Sequence, residues 1–452
     1  FGSRIAHASL HGMRKSRVAA SGTATKFMRH PTEVFRLVIW SFLITLGSGA
    51  VFLRRSKGYR QTLHNFQNVQ YYADFDIGGQ NISGIFDTGS FELLVRSTRC
   101  EHCMHPTPPY DHKKSSSYVE NGTMTQHVFG SGPCRSMMGY DTVSIGHLRA
   151  EGQAFWEIID HRIDVLNTAK FAAIVGIGPN FGFGNTEKTL LMSYGIDEFS
   201  VCLQKPSGSP GFLTWGPLES ENVKPTAFAR AKVYGKHHWS TRLNNVSFQA
   251  LGEGHLNQAP CGGSGCAAII DSGTSLIAAP GIALMQLSKQ IPRIMEDCSN
   301  LHDLPTLHFV IDGQDFELPP QAYVMRITGA LMEANDIWDI LFFKPKIRKL
   351  DMCMPAFMQM DMMSQLGPVW ILGMPFFRYY HTTFDRKAKE MRFAVAGPDC
   401  EPKPLMSNRS KSLISFSTRD NEPLDVEVDA LVPPTLSEMI DFPFGNSGEI
   451  EL

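Results

Sequence analysis

The chain has 452 residues, enough for two or three domains or for one large two-lobed unit. Hydrophobic residues make up 43% and charged residues 19% of it, the ordinary balance of a soluble globular protein. A net charge of −2 gives no electrostatic reason to expect a nucleic acid partner. The 39 glycines and 27 prolines separate many short runs of Val, Ile and Phe, which favours a β-rich fold.

An apolar segment of 17 uncharged residues lies near the start of the chain, at residues 37–53, and is just long enough to cross a bilayer. Residues 1–36 carry seven Lys and Arg against one acid, which favours a cytosolic N-terminus and a lumenal body, as in a type II membrane protein. A cleaved signal of a secreted protein is one alternative, because Ser48, Gly49 and Ala50 are small. A buried strand or pro-segment is the other.

The rest of the chain up to about residue 400 contains short apolar runs divided by Gly, Pro, Asn and Asp turns. The clearest helical pattern is "GIALMQLSKQIPRIME", residues 281–296. Residues 401–452 hold ten acids and four bases with scattered Pro and Ser, and we expect this acidic tail to be mostly disordered.

A motif recurs in the two halves of the chain. "IFDTGS" at 85–90 returns as "IIDSGTS" at 269–275, and each copy is followed by an apolar run ending in glycine, "AIVGIG" at 173–178 and "WILGMP" at 370–375. The repeat predicts two lobes of similar size, each presenting one Asp-Thr/Ser-Gly turn. The predicted segments are a basic and apolar N-terminal segment, two β lobes and the acidic tail: 1–58, 59–220, 221–400 and 401–452.

The two repeated aspartates, Asp87 and Asp271, are the candidate catalytic residues. A single Asp-Thr-Gly is most simply a turn. Each of these aspartates, however, follows a run of apolar residues, where an unpaired buried carboxylate is costly. Two such groups can face each other and share a proton, so that one is an acid and the other a base toward a water held between them. The aspartic protease pair is the standard example of this logic.

The neighbours of the two aspartates suit such a pair. The next residues carry hydroxyls that could hydrogen-bond between the lobes, the glycines allow close approach, and the hydroxyls three residues on could hold the outer carboxylate oxygens. These supporting residues are Thr88, Gly89, Ser90, Ser272, Gly273 and Thr274.

The two Asp turns and several further motifs resemble those of the pepsin-like aspartic proteases, and the resemblance covers about residues 59–400. The further motifs are "FGSGPCRSMMGYDTVSIG" (129–146), "FSVCL" (199–203), "GFLTWG" (211–216), "LHFVIDGQDFELPPQAY" (307–323) and "WILGMPFFRYYHTTFDRKAKEMRFA" (370–394). The resemblance implies an all-β, bilobal fold with a cleft, and hydrolysis of peptide bonds by activated water. It also implies a flap over the cleft, formed by Phe129, Gly130, Ser131 and Gly132, that binds an extended peptide.

Several of the nine cysteines have spacings that suggest disulfides. The short-range pairs Cys100–Cys103 and Cys261–Cys266 suit an oxidising compartment. The alternative for the first pair is a zinc site that includes His102 and His105. The resemblance adds Cys298–Cys353. It leaves Cys134, Cys202 and Cys400, an odd number, so at least one free thiol is expected.

Two positions depart from the family pattern. Phe129 stands where most members have a flap tyrosine, and Leu94 where most have a tryptophan hydrogen-bonded to it. Losing only one partner would strand a buried polar group, whereas the loss of both predicts an apolar contact. The Phe flap is similar to that of the maturase-type (plasmepsin and toxomepsin) enzymes of apicomplexan parasites.

We therefore predict a monomeric aspartic endopeptidase, without cofactor or metal, that acts on proteins in the secretory pathway and prefers hydrophobic residues at the scissile bond. The alternatives are a catalytically silent relative that binds peptides and, with little support, a membrane-tethered scaffold.

Overall fold

The computed structural model describes ten stretches of the chain. They are residues 58–104, 106–182, 187–217, 228–249, 257–259, 261, 265–333, 346–405, 422–428 and 448–449. The predicted membrane or signal segment, 37–53, lies outside these residues. In the described stretches, none of the helices is both long and apolar enough to span a membrane.

The first half of the described chain is built from short strands and a single-turn helix, α1 (Leu190–Ser193). The strands are β1 (Tyr59–Phe66), β2 (Gln70–Ile77), β3 (Gln80–Asp87), β4 (Leu93–Arg96), β5 (Val119–Phe129), β6 (Gly132–Ile145), β7 (Leu148–His161), β8 (Ala173–Gly176), β9 (Glu198–Leu203) and β10 (Gly211–Trp215). Some of them alternate with the period of a half-buried strand, whereas β4 and β8 are buried along their whole length. In β2, for example, Tyr71, Ala73, Phe75 and Ile77 are buried and face the core.

The second half is also mainly strands. They are β11 (Ala229–Lys232), β12 (Ser240–Gln249), β13 (Asn257–Ala259), β14 (Cys266–Ile270), β15 (Ile277–Ala279), β16 (Thr306–Ile311), β17 (Gln314–Leu318), β18 (Val324–Glu333), β19 (Lys346–Pro355), β20 (Phe357–Gln359), β21 (Met362–Ser364), β22 (Gly367–Leu372), β23 (Tyr380–Asp385), β24 (Glu390–Ala396), β25 (Pro402–Lys403), β26 (Leu424–Val428) and β27 (Gly448–Glu449). Three helices, α2 (Gly281–Gln290), α3 (Pro320–Tyr323) and α4 (Met374–Phe377), lie between them. The fold is all-β, as predicted.

The strands assemble mainly into two large sheets. The first runs in the order β11-β24-β23-β9-β10-β1-β2-β3-β8-β4-β7-β6-β5, and the second in the order β17-β16-β12-β14-β22-β15-β20. The first sheet joins the halves, since β9 pairs antiparallel with β23, placing Phe199 opposite Phe384. These two rings stack with their centroids 4.9 Å apart in the core. The lobe boundaries at residues 220 and 400 stay a prediction.

Helix α2 shows where the sequence pattern overestimated a helix. It covers residues 281–290 of the predicted 281–296, with Ala283 and Leu287 buried one turn apart. The helix ends before Pro292, because a proline disfavours the helical conformation of the residue preceding it, here Ile291.

The acidic tail contributes three short strands to the described structure, of which β25 pairs antiparallel with β24. Strand β26 pairs in parallel with β18, and Val426 is buried beside Met325 and Ile327. Strand β27 pairs in parallel with β21. Most of the remaining tail lies outside the described residues. The expectation of a mostly disordered tail therefore did not foresee these pairings.

Four disulfides join eight of the nine cysteines. The structure contains the three expected pairs, Cys100–Cys103, Cys261–Cys266 and Cys298–Cys353. A fourth, between Cys202 and Cys400, spans 198 residues and was not predicted. Cys134 is the free thiol, and its burial raises its pKa to about 12. The sulfurs of Cys100 and Cys103 are bonded to each other, which removes the ligands of the alternative zinc site.

Candidate active site

The two repeated motifs occupy equivalent places in their sheets. Strand β3 ends at Asp87 and runs parallel to β8, which carries "AIVG". Strand β14 ends just before Asp271 and runs parallel to β22, which carries "WIL". The next strands, β4 and β15, then pair antiparallel with β8 and β22. In each half the apolar element that follows the Asp motif in sequence is thus its neighbour in the sheet.

The two carboxyl groups lie together and are held by matching contacts. Both side chains are buried, and a hydrogen bond links them. In each turn the glycine N–H donates to one carboxylate oxygen, and the hydroxyl three residues after the aspartate donates to the other. The four bonds are Gly89 N to Asp87 Oδ1 (2.8 Å), Ser90 Oγ to Asp87 Oδ2 (2.6 Å), Gly273 N to Asp271 Oδ1 (2.7 Å) and Thr274 Oγ1 to Asp271 Oδ2 (2.6 Å).

The residues that follow the aspartates tie the two turns together. The Thr88 hydroxyl donates to the Ile270 carbonyl (2.8 Å) and accepts from the Ser272 N–H (2.9 Å). In the mirror arrangement, the Ser272 hydroxyl donates to the Phe86 carbonyl (2.6 Å) and accepts from the Thr88 N–H (3.1 Å). Four bonds therefore fix the separation and orientation of the two halves at the point where the carboxylates meet.

The electrostatics of the pair are unequal although its contacts are matched. Burial, followed by the charge of Asp271, raises the pKa of Asp87 well above its ordinary value. The pKa of Asp271 lies below its ordinary value: burial acts to raise it, and hydrogen bonds from Asp87, Thr274 and the Gly273 N–H are among the contacts that lower it. The pair titrates as one unit that shares one proton.

A buried histidine outside the predicted set, His238, supports the first turn. Its Nδ1–H donates to the Gly89 carbonyl at 2.8 Å, which fixes the tautomer of the ring. Burial lowers the pKa of His238 to about 4, so the ring is neutral over most of the acidic range. Nothing in the sequence around His238 marks it, because its partner lies 149 residues away.

The predicted flap is a hairpin of β5 and β6. Phe129 pairs with Gly132 across the two-residue turn Gly130-Ser131. Gly132 has a φ of 131°, and a side chain there would collide with the Arg162 carbonyl, so glycine is required. A Cβ added to Gly130 would lie 3.9 Å from the Met360 methyl group. The flap tip therefore faces a residue of the second half.

The two positions that depart from the family pattern lie in one apolar cluster. Leu94 and Phe129 are both buried there, with Trp156 and Ile174 among its other members. Leu94 sits opposite Trp156 on one side and Ile174 on the other, in the middle of the sheet.

Comparisons with known proteins agree with this architecture. Residues 70–396, more than half of the chain, match the family model of the eukaryotic aspartyl proteases. Cathepsin D of Rattus norvegicus is 30% identical over 76% of this chain and 84% of its own length. Cathepsin D of Chionodraco hamatus is 31% identical over 74% and 83%, and cathepsin E of Rattus norvegicus 30% identical over 76% and 84%. The chain therefore belongs to the pepsin-like, eukaryotic aspartyl proteases and is an aspartic-type endopeptidase.

Proposed function

We propose that Asp87 and Asp271 are the catalytic residues of this endopeptidase and that they activate one water molecule held between them. The proposal rests chiefly on the matched hydrogen bonds, which hold two buried carboxyl groups in one place. Such a pair cannot ionise twice without strong repulsion, so its resting state keeps one proton.

The proton balance of the reaction follows from the unequal pair. Ionised Asp271 takes a proton from the water as its oxygen attacks the scissile carbonyl carbon, while protonated Asp87 gives its proton to the carbonyl oxygen. The tetrahedral diol then returns a hydroxyl proton to Asp87. Asp271 passes its proton to the amide nitrogen as the C–N bond breaks. The products are a carboxylic acid and an amine, and the pair again holds one proton.

The flap gives the proposed substrate preference. An extended peptide would lie beneath the hairpin of β5 and β6 and bond to its main chain, as an added strand does. The side chains of the cluster that contains Phe129 and Leu94 are apolar. A polar substrate side chain beside them would lose its hydrogen bonds to water without replacement, whereas an apolar one would not. We therefore propose that bulky hydrophobic residues flank the scissile bond.

The four disulfides support a compartment for this activity. Disulfides form and persist in the secretory pathway and outside the cell, and are rare in the cytosol. We place the enzyme in a lumenal or secreted setting as a monomer. We also propose that residues 37–53 attach the protein to a membrane and that the enzyme is related to the maturase-type proteases.

The test is hydrolysis of a peptide with a hydrophobic centre at acid pH by the full chain and by Asp271→Ala. We expect cleavage by the wild type, inhibition by a statine-type compound, and loss of cleavage in the variant. Asp303→Ala is the matched control, because this carboxylate is exposed on the surface. Activity that persists in Asp271→Ala would overturn the assignment. Inhibitor binding without cleavage by the wild type would instead indicate a silent peptide-binding relative.

A further inference from the structure

A second polar cluster lies beneath the flap, outside the catalytic pair. The Glu92 carboxylate accepts two hydrogen bonds from different strands. His127 Nε2, on β5, lies 3.0 Å from Oε2, and the Trp156 indole N–H, on β7, lies 2.9 Å from Oε1. The other ring nitrogen of His127 lies 2.9 Å from the Ser136 hydroxyl on β6. One carboxylate thus accepts hydrogen bonds from side chains on two strands, β5 and β7.

The cluster is buried and held in place from both sides. The His127 side chain is 0% exposed and that of Glu92 13%. His127 also meets the Trp156 ring edge-on, with centroids 5.1 Å apart. The Glu92 carbonyl accepts from the Gly176 N–H at 2.9 Å, and Gly176 lies opposite Asp87 in the sheet. The position of the Glu92 backbone is therefore linked to the strand pairing beside the catalytic turn.

The cluster connects the active-site turn to the flap over a short path. Glu92 is five residues after Asp87 and follows the turn directly. His127 is two residues before Phe129, and the two rings stack with their centroids 6.5 Å apart. A shift of Glu92 relative to β5 would therefore move the flap tip relative to the reacting carboxylates.

We propose that Glu92 and His127 are positioning residues that keep the flap strand β5 at the distance from the catalytic pair that substrate binding requires. The inference rests on the proposed function of Asp87 and Asp271 and adds a determinant of how substrate is held. A carboxyl group that accepts two N–H bonds from side chains on different strands is a directional contact between those strands. Its removal leaves two buried donors without that partner, so the strand must shift to find others.

The test compares Glu92→Leu, His127→Phe and the double variant with the wild type. His127→Phe keeps the ring and removes both nitrogens, whereas Glu92→Leu removes both acceptor oxygens. We expect each variant to lower kcat/KM by about 10- to 100-fold, with a clear rise in KM, because the flap no longer meets the peptide in register. The double variant should lower kcat/KM no further than the more damaging single variant does, because both single changes remove the same hydrogen bond.

Glu120→Leu is the matched control. It makes the same chemical change on the same strand β5, but its carboxylate is 53% exposed and bonds only to Arg99 among the partners described for it. We expect its kcat/KM to stay within about twofold of the wild type. Rates are to be expressed per active site, counted by titration with a tight-binding statine-type inhibitor, so that a smaller folded fraction does not resemble lost activity.

Two outcomes separate this inference from the proposed function. If KM and kcat per active site are unchanged in both single variants while the melting temperature falls, the cluster only stabilises the fold and the inference is wrong. If wild-type cleavage does not depend on Asp271, the proposed function is wrong instead. Should Glu92→Leu fail to fold, Glu92→Gln and Ser136→Ala decide: each keeps part of the cluster, and an unchanged KM in both would also contradict the inference.

Discussion

The two aspartate turns have the same contacts but different surroundings. Around both Asp87 and Asp271 a glycine N–H and a hydroxyl hold the two carboxylate oxygens, at distances that agree within 0.1 Å. Beyond these contacts the halves diverge. The first turn is held by His238 and leads into Glu92 and the flap, whereas the second is tied to the first half by the Ser275 hydroxyl, which donates to the Val69 carbonyl.

The matched contacts of a duplicated motif do not make its two carboxyl groups electrostatically equal. The local hydrogen bonds come from the repeated residues and are therefore the same in both turns. The direction of the pKa shift is not the same, being upward for Asp87 and downward for Asp271. Because two adjacent buried carboxylates cannot both carry full charge, the pair keeps one proton and titrates as a unit.

The largest expected effect comes from replacing the carboxyl group of either aspartate. Asp87→Asn and Asp271→Asn should each lower kcat by at least about 10³-fold, since each removes one half of an acid and base pair. The double variant should be little worse than either single one, because the two act as a unit. Steady-state kinetics on one peptide measures all three. A much smaller loss of kcat for one aspartate than for the other would show that the two turns are not equivalent in catalysis.

A smaller effect is expected from the bonds that join the turns. Thr88→Val leaves the Ser272 N–H and the Ile270 carbonyl without the hydroxyl they share. We expect a loss of about 1–3 kcal/mol in the free energy of unfolding, measured by denaturant titration. Ser272→Ala should cost less than Thr88→Val, because Ser272 is partly exposed and Thr88 fully buried. Thr123→Val, at an exposed site, is the control. Equal stability of Thr88→Val and wild type would contradict the role given to these bonds.

The smallest effect concerns the flap, which belongs to the first half alone. Phe129→Tyr adds a hydroxyl to an apolar cluster that includes Leu94. We expect a loss of about 1 kcal/mol in the free energy of unfolding and no gain in kcat/KM, because the new hydroxyl loses water without gaining an indole partner at position 94. Thermal unfolding and peptide kinetics measure both quantities. Higher activity with full stability would argue against a settled apolar pair.

The parts of the molecule that repeat could be predicted from the sequence. The two Asp turns and the apolar runs ending in glycine appear as short motifs, and the short apolar runs between Gly and Pro indicate a β-rich fold. The all-β class and the flap residues follow from the family resemblance. A motif of this kind is readable because each residue sits at a fixed short spacing from the next. The helix at 281–290 was found for the same reason, although its end was misplaced.

The parts that depend on distant single residues could not be predicted. The Cys202–Cys400 disulfide spans 198 residues. The Glu92 carboxylate bonds to His127, which is 35 positions away in the sequence, and to Trp156, which is 64 positions away. Neither partner stands in a pattern that marks it, because the contact arises only once the strands have paired. The pairing of β26 with β18 differs from these contacts, because it had a local signal: "LDVEV" at 424–428 alternates apolar and acidic residues, and the acidic composition of the tail as a whole concealed it.

The most direct test of the account is the pH dependence of kcat/KM for a peptide with a hydrophobic centre. The proposed mechanism needs Asp271 ionised and Asp87 protonated. It should therefore rise as pH increases through the lowered pKa of Asp271 and fall as pH increases through the raised pKa of Asp87. The predicted result is a bell-shaped profile with two limbs, both lost in Asp271→Asn. A profile with one limb, or a rate that keeps rising through neutral pH, would contradict a shared proton between the two carboxylates.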